Sequence, residues 1–154
     1  VLFLQEIGEE QPTMIDECRG STTNRAIIWR NGLVDLFLTG TNAVAETGML
    51  VNLDMWGNRV GALACGPRHV VVVAGRNKLA ENLEAAMARV RRLAAPLNAI
   101  RHDLHTPRPT PCVSTGVCTD CRSEWRICNT WLITAKSFPR GRIKVVLVNK
   151  DLGL

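Results

Sequence analysis

Tyrosine is absent from this sequence, and aromatic residues make up only 5% of it. A core built from such a chain rests on Val, Leu, Ile and Ala rather than on large rings. No run approaches the roughly 20 consecutive apolar residues that a membrane-crossing helix needs, so no membrane span is expected. The opening residues, "VLFLQEIGEEQP", carry neither a basic n-region nor a small-residue cleavage site. That argues against a secretory signal and for a cytoplasmic location, where stable disulfides are rare. A P-loop, a nucleophile elbow and a G-x-G-x-x-G turn are also missing. The 19 Lys and Arg exceed the 14 Asp and Glu, for a net charge of +5. Apart from Arg89, Arg91 and Arg92 this excess is spread along the chain, without interleaved aromatics. Such a distribution argues against nucleic acid and for an anionic small molecule or an acidic partner.

What is present suits one domain over 1–154. The 154 residues, 46% hydrophobic and 21% charged, suffice for a single core. Ser21 can cap a helix over about 22–31. "VDLFLTG" (34–40) reads as a buried strand entering a loop, and "MLVNLD" (49–54) alternates as a half-buried strand does. A short helix fits within 55–67. "HVVVVAG" (69–75) is a strand covered on both faces. Asn77 then caps a helix to about 94, with Leu79, Leu83, Ala86, Met87, Val90 and Leu93 at helical spacing and Pro96 beyond its end. Two further strands are expected over 128–136 and 142–149. Strands alternating with helices predict an α/β fold: a mainly parallel sheet flanked by helices, with a cysteine-rich loop near the C-terminus.

That loop, "CVSTGVCTDCRSEWRIC", holds four of the six cysteines. Cys112, Cys118, Cys121 and Cys128 are spaced C-x5-C-x2-C-x6-C, and the C-x2-C pair lets two thiolates reach one ion or cluster edge. Gly116 permits a sharp turn just before it. Zinc and iron–sulfur clusters both accept four thiolates. The spacing is near the plant-type ferredoxin pattern and lacks the second short knuckle usual in zinc sites, yet a metal-free thiol group remains open. Arg122 and Arg126 can offset thiolate charge, or simply be solvated. Cys65, in apolar "GALACGP", reads as a small buried hydrophobe, and Cys18 as a plain thiol. His69 reads as a strand-end residue, and His102 and His105 as alternative ligands at best.

Two polar turns follow apolar strands. "LTGTNAVAETG" offers Thr39, Gly40, Thr41 and Asn42 beyond a strand end, where parallel α/β sheets bind ligands, with Glu46 the one carboxylate of the loop. "WGNRVGAL" places Asn58 and Arg59 at a helix start, which favours anions. Together they suit a phosphate, carboxylate or nucleotide tail. Turn and capping chemistry accounts for the same residues.

The segments "DLFLTGTNAVAETGMLVNLDMWGNRVGAL", "VVVVAGRNK", "APLNA", the four-cysteine stretch and "VVLVNKDLGL" resemble the LUD family, named for lactate utilisation. The resemblance covers about 34–154. It implies a fold like ribose-5-phosphate isomerase and the CoA transferases. For some members it implies a part in oxidising lactate to pyruvate beside iron–sulfur proteins. The chain is expected to lack part of the family's N-terminal βα unit, and "HTPRPTPC" is longer than the usual link into the first cysteine. The resulting expectation is an accessory or electron-transfer component of lactate or organic-acid oxidation. It would carry an iron–sulfur cluster, of the 4Fe–4S kind, or zinc on the four cysteines. Iron–sulfur or flavin oxidoreductase subunits would be its partners, and a homodimer stays open. The alternatives are an isomerase- or acyl-transferase-type enzyme using Glu46 as base or nucleophile, and a metabolite-binding scaffold.

Overall fold

The computed structural model describes residues 2–4, 15–16, 35–103 and 108–154. The helix expected over 22–31, Cys18 and His105 lie outside these residues. Two sheets form. Sheet A runs in the order β2 (Ile15–Asp16), β1 (Leu2–Leu4), β3 (Leu36–Gly40), β6 (His69–Gly75), β9 (Ile143–Val148). Its β3, β6 and β9 are parallel, and β1 and β2 join antiparallel at one edge. Sheet B runs β7 (Leu79–Ala80), β4 (Ala43–Ala45), β5 (Leu50–Asp54), β8 (Thr130–Thr134). There β4, β5 and β8 are successively antiparallel and β7 joins β4 in parallel.

The valine strand explains the seat of the first core. Val70, Val72 and Ala74 point one way from β6, and Phe37 lies on the matching face of β3. They meet Leu50 of β5 together with Ala62 and Leu63 of helix α1 (Asn58–Cys65). The period-2 alternation of β5 then sends Val51 and Leu53 to its other face, against Ala86 and Val90 of the long helix, with Cys128 and Trp131 packed at the margin. Sheet B is therefore covered on both sides, which is why all five residues of β5 are buried.

The α/β class and the mainly parallel sheet A follow the sequence pattern. The second, mostly antiparallel sheet does not, because the short "NAVAE" segment that builds β4 has no strand signal of its own. The long helix also differs from expectation. Leu79 and Ala80 leave the helical path to pair with β4, so the cap is Asn82, whose Oδ1 accepts Ala85 N–H at 2.9 Å. Helix α2 (Leu83–Arg89) then runs through a π turn (Val90–Ala94) into α3 (Ala95–Asp103). Pro96 lacks an N–H and clashes with the carbonyl four residues back in a regular helix. The wider π turn, closed by Ala95 N–H on Val90 O, lets the helix continue through it. Cys65 is exposed rather than buried, because it ends α1 where Gly66 turns the chain away.

Asn52 stands out within β5. It is fully buried, and among the described residues neither its Oδ1 nor its Nδ2 has a hydrogen-bond partner. An unpaired buried amide costs about 1–3 kcal/mol. Asn52→Leu, similar in volume, is expected to raise unfolding stability by about that amount, read as a higher urea midpoint at unchanged slope. A lower midpoint would mean that the amide has a partner in solution.

Candidate functional site

The cysteine loop is built from short pieces fixed at both ends. Helix α4 (Pro111–Thr115) has Pro at its first position, and Gly116 closes it in the left-handed conformation (φ +70°), donating its N–H to Cys112 O at 2.9 Å. Thr110, 5% exposed, sets its Oγ1 3.2 Å from Cys112 Sγ. At the far end Asn129 follows Cys128 and is clamped to the end of β5. Its N–H donates to Asp54 O at 3.0 Å, and its Nδ2 to Met55 O at 3.2 Å.

Between these anchors all four cysteines, Cys112, Cys118, Cys121 and Cys128, line one cleft of about 350 Å³, part of it open to solvent. Ala95, Pro96 and Ala99 of α3 form its apolar wall. A neighbouring cleft of about 240 Å³ shares Cys118, Arg126 and Cys128 and reaches Trp131. The Arg91 guanidinium lies over that ring, 5.5 Å from its centroid. All four thiols are half-buried and unbridged. Among the described residues, no three His, Cys, Asp or Glu side chains stand close enough together to hold one metal ion.

Arg126 ties the loop together. Its Nη1 donates to Cys121 O, and its Nη2 to Cys128 O at 3.1 Å and to Asp120 Oδ1 at 3.3 Å. Its contact with the Cys128 thiol, then the Cys128 charge and Asp120, hold the guanidinium above its ordinary pKa against the cost of burial. At Cys128 burial wins and pushes the thiol up, with the neighbouring Cys118 and Cys121 adding to it, although Arg126 pulls the other way. Arg126 Nε is buried and has no hydrogen-bond partner among the described residues. Arg122, by contrast, is exposed.

The polar turns also come together, through a residue that the sequence reading passed over. Asp54, 7% exposed, receives Arg59 Nε at 3.0 Å and Nη2 at 2.8 Å on Oδ1, and Val60 N–H at 2.8 Å on Oδ2. It thus neutralises Arg59 and caps α1 in one stroke. Arg59 Nη2 also reaches Asn42 Oδ1 at 2.7 Å, and Asn42 Oδ1 accepts Leu53 N–H at 2.9 Å. Thr41 Oγ1 donates to Ala43 O and Val51 O, and Thr39 Oγ1 to Gly40 O. Asn58 is the first residue of α1, engaged rather than free. Asn42 and Arg59 are thereby joined, while Thr39 and Gly40 end β3, Thr41 follows them, and Asn58 precedes Arg59 at the start of α1. Glu46 does not join them: it is exposed on the β4–β5 turn, beyond the whole length of β4. The only sequence hint of Asp54 was its place at a strand end five residues before Arg59. Asp54→Ala strands a largely buried guanidinium and uncaps α1, and is expected to cost about 3 kcal/mol of stability by denaturant titration. A loss under about 0.5 kcal/mol would show that the node is not structural.

Neither a curated protein nor a solved structure matches the chain. A family model for the LUD domain matches residues 16–148. That span takes in β3 to β9, the polar junction and the four cysteines, so the resemblance read from the sequence holds and the chain belongs to the LUD domain family.

Proposed function

We propose that this lactate-utilisation-type protein serves as an accessory or electron-transfer component of lactate or organic-acid oxidation, with an iron–sulfur cluster on Cys112, Cys118, Cys121 and Cys128. The observation that carries the reading is the shared cleft: four thiols from one loop line a single space against an apolar helix wall. The donor set suits the group. In a 4Fe–4S cluster each thiolate binds its own iron, so the sulfurs stand wider apart than around a single ion. A lone zinc ion draws its ligands to about 2.3 Å, and the described side chains form no such cage, so zinc is the weaker alternative.

The group would supply one-electron transfer. The chain's own residues set its surroundings. Ala95, Pro96 and Ala99 exclude water on one side, and Arg126, which also lines the cleft, offsets thiolate charge through its contact with the Cys128 thiol. Charge and hydrogen bonds of this kind raise the potential of a cluster. Iron–sulfur or flavin oxidoreductase subunits are the partners that fit such a role. An isomerase- or acyl-transferase-type reaction at Glu46 lacks comparable support, because Glu46 stands apart from the polar junction.

Protein reconstituted anaerobically with iron and sulfide is expected to show a visible charge-transfer absorption. Cys118→Ala and Cys121→Ala should each lose most of it, while Cys65→Ala, at an exposed thiol outside the cleft, keeps it. Equal spectra from all three variants, or no absorption in the unsubstituted protein, would refute the assignment.

A further inference from the structure

Lys78 is a buried cation without an acidic partner among the described residues. It is 9% exposed, at the end of a 3-10 turn (Arg76–Lys78) that follows β6. Among the described residues no carboxylate pairs with it, and every electrostatic influence on it is unfavourable. Burial lowers its pKa first, and the charges of Arg89 and Arg59 lower it further. Its ammonium sits between two backbone segments. A Cβ on Gly153 would stand 3.4 Å from Nζ, and one on Gly40 4.0 Å from it. Gly40 ends β3 in the Thr-Gly-Thr-Asn turn, and Gly153 lies on the tail after β9.

The tail is held there by design of the sequence. Gly75 has no room for a side chain: a Cβ would come within 2.6 Å of Lys150 O and 2.5 Å of Leu152 N. Asn77 Nδ2 donates to Gly153 O at 3.0 Å, Leu152 N–H donates to Asn77 Oδ1 at 3.1 Å, and Arg76 pairs with Asp151 at 2.8 Å. Asp151 is thereby spent on Arg76. Arg89 completes the wall from α2. Its Nε donates to Asn77 O at 2.9 Å and its Nη1 to Asn42 O at 2.6 Å. These are carbonyls, so among the described residues its charge too goes uncompensated. Arg59 is neutralised by Asp54. Two net positive charges, Lys78 and Arg89, therefore converge beside the Gly40 turn.

We propose that Lys78, backed by Arg89 and enclosed by the Gly40 and Gly153 backbones, binds a dianionic phosphoryl group of a small molecule. A buried, unpaired cation is costly, and a protein that keeps one gains by placing a ligand charge against it. Two uncompensated positive charges match a phosphate dianion better than a monocarboxylate. The site is separate from the cysteine cleft, and it stands whether or not a cluster is present there.

The probe is inorganic phosphate, titrated calorimetrically at constant ionic strength, with lactate as the monoanion. Phosphate is expected to bind saturably and at least about tenfold more tightly than lactate. Lys78→Met should weaken phosphate about 10- to 100-fold, the factor that a charge-assisted hydrogen bond carries, while Lys144→Met, at an exposed lysine, binds as before. In phosphate-free buffer Lys78→Met should melt higher than the parent, since it removes an unpaired buried charge. Should that variant not fold, reductive methylation of the unsubstituted protein gives the answer: phosphate slows modification of Lys78 and leaves Lys144 unchanged. No saturable phosphate binding, lactate binding as tightly as phosphate, a Lys78→Met variant that binds like the parent, or methylation of Lys78 indifferent to phosphate would each overturn the proposal.

Discussion

Asp54 is the residue on which the arrangement of both candidate sites depends. Its side chain neutralises Arg59 and caps α1, and through Arg59 it fixes Asn42 in the turn after β3. Its backbone carbonyl holds Asn129, the residue that follows Cys128. A single strand end thus positions the polar junction with one group and the last cysteine with another. A buried carboxylate is tolerable only when fully hydrogen-bonded, and this one spends both oxygens. The same full use makes the Asp54–Arg59 pair a structural device rather than a free anion receptor.

The two sites solve opposite electrostatic problems. In the cysteine cleft, thiols crowd together and burial pushes Cys128 toward its neutral form. Arg126 works against that, and it does so while stitching the carbonyls of Cys121 and Cys128. Around Lys78 the crowding is of cations, and among the described residues nothing on the protein offsets it. The proposed occupants answer these charges, metal centres at one site and a negative ligand at the other. In both, the backbone holds the like charges in place through hydrogen bonds made elsewhere: Asn129 on Asp54 O and Met55 O in the first, the Asn77 and Gly153 contacts in the second.

Strands β3, β6 and β9 of sheet A, helix α1 and the four cysteines were legible in the sequence because each carries a local signal, such as four consecutive valines, a Gly-bounded segment with an apolar second half, or a tight C-x2-C pair, whereas β1 and β2 were not read. In sheet B, β5 and β8 were legible as strands, but β4 and β7 were not, since they are only 3 and 2 residues long and exist through their pairing. The passage of the long helix through Pro96 was hidden for a similar reason. Proline normally ends a helix, and only the π turn, stabilised by packing of Val90 and Ala94, overrides it. Asn42 and Arg59, from the two polar turns, meet in a hydrogen bond, whereas Glu46, four residues after Asn42, is carried away by β4. The Asp54–Arg59 pair spans 5 residues and the Arg89–Asn42 contact 47, so neither was visible locally, and no spacing rule links Lys78 to a tail that closes over it from the far end of the chain.

The central claim is that four sulfurs of one loop hold a single multi-iron group. Iron K-edge X-ray absorption on anaerobically prepared protein tests it most directly. The account predicts an iron site whose first shell is sulfur, with a short iron–iron vector beyond it. Stoichiometric zinc in a four-sulfur shell without iron, or iron ligated by oxygen and nitrogen alone, would contradict it.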